Sequence, residues 1–362
     1  MDLIDLLRVA VQKGASDLHI VAGVPPVLRV DGEIIVADMD PFTPAETQQL
    51  ILNSLPADKR QILEEELQLC YSLNVPDVGY FRTAIYYEQG TLGASIRVGM
   101  TEVKSLEELG LLPIVAELTR RTTGLILITG PTGCGKTTTL NTMIDLINRE
   151  RRCKIIMVED PIEYIHSNKR SIVVQQEVYT DTKSFARALI HILRQDPNVI
   201  GVGEMRDLET ISTALTAAET GHLVISTLHT PDAPQTIDRV IDVFPPNQQN
   251  QVRLQLSTSL AAVISQQLLP RVDRPGRVLA TEIMLGNSAV HNIIRENKTQ
   301  QLYNVISTGQ SVGMVSMDVC LKNLYHQGII TYDTAVTHAR NPQEMRSLDD
   351  QTAVVPNGTG TL

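Results

Sequence analysis

Apolar residues at Leu3, Leu6, Leu7, Ala10 and Val11 recur at helical spacing, and Gly14 follows where a left-handed cap would end that helix. The runs VLRV and EIIV flank Asp31-Gly32, a dipeptide that accepts the positive φ of a two-residue hairpin turn. Thr43, Pro44 and Glu46 read as N-cap, first helical residue and capping-box partner of a helix through Leu55. A second helix from about Ala57 to Leu69 leads to strand-like runs CYSLNV, YFRTAIYYE and LGASIRV, separated by Pro76, Gly79 and Gly90. These elements predict a small α+β domain over residues 1–98 and a looser linker over 99–113.

After residue 120 the pattern changes to short, near-continuous apolar runs between helix-length segments: LILIT, KIIMV, SIVVQ, VIGVG and HLVIS. Strands buried on both faces of a parallel sheet have this pattern, which predicts an α/β core over residues 114–287. Residues 288–340 read as mostly helical, with helices at Ala289–Glu296 and Met317–Gln327, and the polar stretch 341–362 reads as a disordered tail.

A chain of 362 residues fits two domains, and 43% apolar with 20% charged residues excludes disorder throughout. The formal charge of -10 opposes a main role in gripping nucleic acid. Cys70, Cys134, Cys153 and Cys320 form no CxxC pair, so neither a disulfide framework nor a zinc knuckle is encoded. No run approaches the roughly 18 apolar residues of a membrane span. Asp2 and Asp5 stand where a signal peptide needs positive charge, so the expectation is a cytoplasmic protein without membrane insertion.

The segment GPTGCGKT, Gly130 to Thr137, directly follows an apolar strand and precedes a helix-compatible segment. Gly130, Gly133 and Gly135 let backbone N–H groups of the loop, including those at Thr132 and Cys134, close around a polyphosphate. Lys136 would reach the β- and γ-phosphates, Thr137 would take a Mg²⁺ position, and Thr138 continues into the helix.

Glu159, Asp160 and Glu163 follow the KIIMV strand, whose carboxyl end faces the ligand crevice of an open α/β sheet, so one of them could orient the attacking water. Spacing alone does not choose among them. Glu204, at the end of VIGVG, fits the water-mediated metal position of P-loop enzymes or an ion pair with Arg206. His222 and His229 bracket one buried strand. His229 lies at the crevice end, whereas His222 reads by position as structural. Arg82 and Arg97 read, on pattern alone, as surface arginines of the first domain's sheet.

Taken together, ASDLHIVAGVPPVLRVDG, SLEELGLLPIVAEL, GPTGCGKTTTLNTMIDLIN, VEDPIEY, GEMRDLETISTALTAAETGHLVISTLHT, VIDVFP and ISQQLLPR resemble the secretion-ATPase (GspE-type) superfamily, and within it the type IV pilus retraction ATPases. The resemblance covers nearly the whole chain. It implies a PAS-like α+β amino-terminal domain followed by a RecA-like P-loop ATPase domain with a helical carboxyl-terminal part. It further implies a homo-hexameric ring that hydrolyses ATP with Mg²⁺ and acts on the inner-membrane platform protein (PilC-like), with a second retraction ATPase as a further partner. On this likeness Glu163 is the base that polarises water, with Glu159 and Asp160 in support, and Glu204 is the Walker B carboxylate. His222 and His229 form a pair that senses the γ-phosphate, and Arg82 and Arg97 close over nucleotide. The chain departs from the family pattern at Cys134, at Gly201, where lost packing is expected, and at His291 in AVHNIIRENK. Assembly and secretion ATPases of the superfamily commonly carry a tetracysteine zinc insert, which these cysteines cannot form. The resemblance also accommodates an accessory retraction ATPase. A ring that binds nucleotide without hydrolysing it is disfavoured by the presence of Lys136, Glu163 and Glu204.

Overall fold

The computed structural model describes residues 2–30, 32–99, 103–343 and 345. Asp31 of the expected hairpin turn, and residue 344 with those from 346 onward in the expected tail (341–362), lie outside the described residues. Met345 of that stretch is instead 1% exposed and packs into a hydrophobic cluster with Met317 and Leu321 rather than being disordered. The chain forms two units. The first comprises the described residues up to Val103 with 159–167 and 176–181, and the second comprises the remainder.

In the first unit α1 (Leu3–Gln12) precedes β1 (Asp17–Ile20), β2 (Val27–Val30) and β3 (Glu33–Val36). Next come α2 (Pro44–Ser54), α3 (Ala57–Glu66), β4 (Gln68–Val75), β5 (Gly79–Glu88) and β6 (Thr91–Val98). Reciprocal bonds between Thr43 and Glu46 cap α2, as their spacing predicts. The strands pair in the order β3-β2-β1-β6-β5-β4, and every pairing is antiparallel. Alternate residues such as Phe81 and Ile85 pack with Leu7, Leu18 and Ile96 into that unit's core, leaving the opposite face of the sheet for polar side chains.

The second unit opens with α4 (Leu106–Leu109) and α5 (Ile114–Thr119), followed by β7 (Gly124–Thr129), α6 (Lys136–Glu150), β8 (Lys154–Glu159) and β9 (Ile172–Glu177). It continues through α7 (Phe185–Ile192), β10 (Val199–Val202), α8 (Leu208–Glu219), β11 (Leu223–Leu228), α9 (Ala233–Asp242) and α10 (Pro246–Ser259). Then follow β12 (Leu260–Pro270), β13 (Arg277–Leu285), α11 (Ser288–Arg295), α12 (Leu302–Thr308), α13 (Met317–His326) and α14 (Tyr332–His338). The sheet order is β13-β12-β7-β11-β10-β8-β9, with β12, β7, β11, β10 and β8 parallel and β13 antiparallel at one edge. The α/β class expected from the apolar runs is the one adopted, with an α+β sheet unit preceding a P-loop unit. Within the stretch read as a linker, Leu106 and Leu111 are buried in the second core. Among the described residues no helix is long and apolar enough to cross a membrane.

Two departures from the family pattern have local explanations. At Gly201 a Cβ would come within 3.0 Å of Met157 Cγ and 3.6 Å of Ile144 Cδ1, so these side chains already fill the space that an aliphatic residue would occupy. The packing expected to be missing is therefore present. His291 fastens α11 to the start of β12 through a 3.0 Å contact between Nε2 and the Leu260 carbonyl.

One buried carboxylate sets a pH dependence. Glu282 on β13 is 3% exposed and accepts a 3.0 Å bond from the Ala233 backbone N–H at the start of α9. Burial raises its pKa to about 7, against the pull of the Ala233 and Met317 backbone donors. The folded state then holds this proton more tightly than the unfolded chain, so its stabilising effect is present at low pH and is lost as pH rises through about 7. Glu282→Gln is accordingly expected to melt above the parent at about pH 8 and level with it at about pH 5. A melting difference that does not change with pH would contradict this.

Candidate nucleotide site

All six residues of β7 are buried, and the strand delivers the chain at Thr129 into the glycine loop. Gly130 has φ +141°, and a Cβ there would lie 2.3 Å from the Gln266 carbonyl oxygen and 2.7 Å from Cys134 Sγ, so this position excludes any side chain. Gly133 and Gly135 also have positive φ, and Gly135 is the N-cap of α6 without a side-chain cap bond. The helix amino terminus thus presents backbone donors and its positive dipole end without a competing side chain. Cys134 is buried, and its backbone N–H donates to the Pro131 carbonyl at 3.3 Å. Thr137 and Thr138 lie half-buried in the first helical turn.

Lys136 is 7% exposed, and its Nζ donates to the Gly130 carbonyl at 2.9 Å and the Pro131 carbonyl at 3.0 Å. Burial holds its pKa below the ordinary lysine value, with Cys134 and Glu204 pulling the other way. Its Nζ also lies 3.4 Å from His229 Nδ1, and Thr132 Oγ1 is 3.4 Å from the same nitrogen. His229 Nε2 is 3.1 Å from Glu204 Oε1. This network assigns the tautomer: Nδ1 accepts from Lys136 and Thr132, and Nε2–H donates to Glu204. Burial pushes the Glu204 carboxyl up, but the 2.6 Å Arg206 bond and His229 outweigh it and hold the group below its usual range. The phosphate loop, Glu204 and His229 form one connected group.

His222 does not join that group within the chain. It precedes β11, a six-residue strand about 20 Å long, while His229 follows it. There His222 Nδ1 lies 3.0 Å from the Ala217 carbonyl and 3.4 Å from Thr220 Oγ1, as its position in the sequence suggests.

The arginines and the acidic segment lie in the first unit. Arg82 and Arg97 are cross-strand partners on β5 and β6, and Arg97 Nε donates to Asp17 Oδ1 at 3.0 Å. Glu159, 2% exposed, closes β8, and its carbonyl accepts from Val178 N at 2.9 Å. Asp160 is exposed and joins Pro161 through a cis peptide bond. Glu163 is exposed, yet desolvation by the surrounding protein raises its pKa, while Arg82 and then Arg97 pull it down. The candidate base and both arginines therefore form one electrostatic group.

Two supporting residues carry no signal of their own in the sequence. Ser265 on β12 accepts from Thr129 Oγ1 at 2.9 Å, and Gln266 Nε2 donates to Thr139 Oγ1 at 2.7 Å, tying β12 to both ends of the phosphate loop. Only their membership of the ISQQLLPR block points to them.

These features fit a polyphosphate with a hard cation. The Cβ-free cradle leaves room for phosphate, a buried ammonium now meets only neutral carbonyls on the loop, and Thr137 with Glu204 offers oxygen donors.

The family model described as Type II/IV secretion system protein matches residues 95–352. The chain is 45% identical over 343 residues to the type IV pilus retraction ATPase PilT of Pseudomonas aeruginosa, covering 95% of this chain and 99% of the relative. It is 42% identical over 343 residues to a twitching motility protein of Neisseria gonorrhoeae, covering 95% and 92%. The crystal structure of the pilus retraction motor PilT with bound ADP superposes with a TM-score of 0.90 at 47% identity, covering 96% of this chain and 99% of that one.

Proposed function

The chain belongs to the type II/IV secretion system protein family, and from that premise we propose that it is an ATPase motor that drives type IV pilus retraction. The observation that carries the reading is similarity to a retraction ATPase over 95% of the chain. The connected Lys136–His229–Glu204 group supports the hydrolytic chemistry.

ATP is the substrate. Its β- and γ-phosphates meet the loop amides from Gly130 to Thr138 and the Lys136 ammonium, which exchanges neutral carbonyl partners for anionic ones. Thr137 and Glu204 would hold Mg²⁺, which would supply positive charge to offset that of the phosphates. Glu163 takes the proton of the attacking water, and Glu159 and Asp160 shape the acidic segment around it. His229 reports the γ-phosphate through its two ring nitrogens, one toward the loop and one toward Glu204. His222, at the far end of β11 from His229, would share in nucleotide sensing only toward a nucleotide other than the one its own phosphate loop holds.

Arg82 and Arg97 supply positive charge that favours closure over triphosphate and release after cleavage. Repeated in a homo-hexameric ring, this cycle would move the inner-membrane platform protein so that pilin leaves the fibre. The motor would act from the cytoplasmic face, alone or beside a second retraction ATPase. Deleting the gene and counting surface pili tests the reading: an excess is expected, and loss of pili would assign assembly instead.

A further inference from the structure

Glu177, the last residue of β9, is 4% exposed and belongs to the first unit. A buried carboxylate is costly unless donors surround it, and here four converge. Tyr80 OH donates at 2.9 Å and Ile162 N at 3.1 Å to Oε2, which also accepts from the Ser72 hydroxyl, while Thr180 Oγ1 donates at 3.0 Å to Oε1. Burial, and then the charges of Glu177 and Asp181, push the Tyr80 phenol well above its ordinary pKa, so it remains a proton donor. The backbone N–H of Glu177 is itself fixed by Asp181 Oδ2 at 2.8 Å.

The donors come from separate parts of the chain. Ser72 and Tyr80 lie on β4 and β5, Thr180 on the turn after β9, and Ile162 immediately before Glu163 in the acidic segment. The register adds a second relation. Ser72 pairs across the sheet with Arg82, Arg82 with Arg97, and Arg97 with Asp17, so the Glu177 anchor and both arginines occupy one cross-strand row. The acidic segment is attached to this row twice, by hydrogen bonds through Glu177 and electrostatically through Glu163.

We propose that Glu177 is a positioning residue that clamps the acidic segment to the amino-terminal sheet, so that Glu163 is presented to nucleotide as one preassembled group with Arg82 and Arg97. The proposal rests on the reading of Glu163 as the base. The clamp uses both carboxylate oxygens, with three donors on Oε2 and one on Oε1. An amide of the same shape is uncharged and accepts on one oxygen only, so its N–H₂ must face either the Oε2 donors or the Thr180 hydroxyl.

The test measures kcat, KM for ATP and Kd for ADP in Glu177→Gln, Tyr80→Phe, Glu163→Gln and the Glu177→Gln/Glu163→Gln double variant. A base misplaced by about 1 Å can lose on the order of 100-fold, so Glu177→Gln is expected to lower kcat by roughly 10-fold to 100-fold. KM for ATP and Kd for ADP should stay within about twofold, because the phosphate loop is untouched. Tyr80→Phe, which removes one donor and keeps the ring, should lower kcat in the same direction by less. In the double variant Glu177→Gln should cause no further fall, since the group it positions is already gone. Parent kcat in Glu177→Gln while Glu163→Gln is inactive overturns the clamp. An equal fractional loss in both backgrounds, or loss of ADP binding, also overturns it, because a general structural defect would do the same. Parent kcat in Glu163→Gln alone overturns the premise instead.

Discussion

Glu163→Gln is expected to lower ATP turnover by about 10²–10⁴-fold, the range over which a positioned general base contributes, while ADP binding stays near the parent value. The amide keeps the shape of the side chain but cannot accept the proton of the attacking water. The environment of Glu163 suits this role. Although Glu163 is exposed, desolvation by the protein around it lifts its pKa above the ordinary glutamate value, which makes it a stronger base, whereas Arg82 and Arg97 keep it from rising further. The acid limb of kcat should therefore lie above the ordinary glutamate pKa, with activity lost as pH falls through it and the carboxylate becomes protonated. Asp160→Asn provides the contrast: Asp160 is given only a supporting place beside Glu163, and its substitution should cost far less than that of Glu163. Parent turnover in Glu163→Gln, or an equal loss in Asp160→Asn, would move the base elsewhere.

What could be read from the sequence divides by range. The phosphate loop was legible because strand, glycines and helix are contiguous, and each glycine answers a local requirement that Gly130 illustrates with its 2.3 Å approach to Gln266 O. Strand ends were legible for the same reason: period-two geometry already separates His222 from His229. The capping box at Thr43 and the buried runs of the parallel sheet are likewise local signals.

Register was not legible. Nothing in the spacing of Ser72, Arg82 and Arg97 states that they form one row, because cross-strand pairing depends on turn lengths and on the whole sheet. On pattern alone Arg82 and Arg97 are ordinary surface arginines, and only the resemblance singled them out. The allegiance of residues 159–167 and 176–181 to the first unit is equally nonlocal, since both segments leave strands of the second unit's sheet. Glu177 carries no local signal, because a single carboxylate closing an apolar run looks like a solvated strand end. The β12 strand was missed for another reason. It begins at Leu260, directly after α10 ends at Ser259, so no glycine or proline marks the change of period.

Arg82→Ala should be the more damaging of the two arginine substitutions, with a loss of turnover approaching the roughly 10³-fold lower end of arginine contributions to phosphoryl transfer. Arg82 is the larger of the two positive influences on Glu163, whereas Arg97 is already shared with Asp17, so Arg97→Ala should cost less. Both variants should still bind ADP, because Lys136 and the loop amides are unchanged. A second readout separates a charge effect from a packing effect. Removing Arg82 takes away an influence that lowers the Glu163 pKa, so the acid limb of the remaining activity should move to higher pH, and Arg82→Lys should restore most of that displacement while recovering less of kcat. A lysine carries the charge but not the planar fork that grips phosphate oxygens, and this difference distinguishes an arginine that contacts the transferring group from one that only tunes its neighbour. Unchanged turnover in both alanine variants would remove the arginines from the proposed cycle.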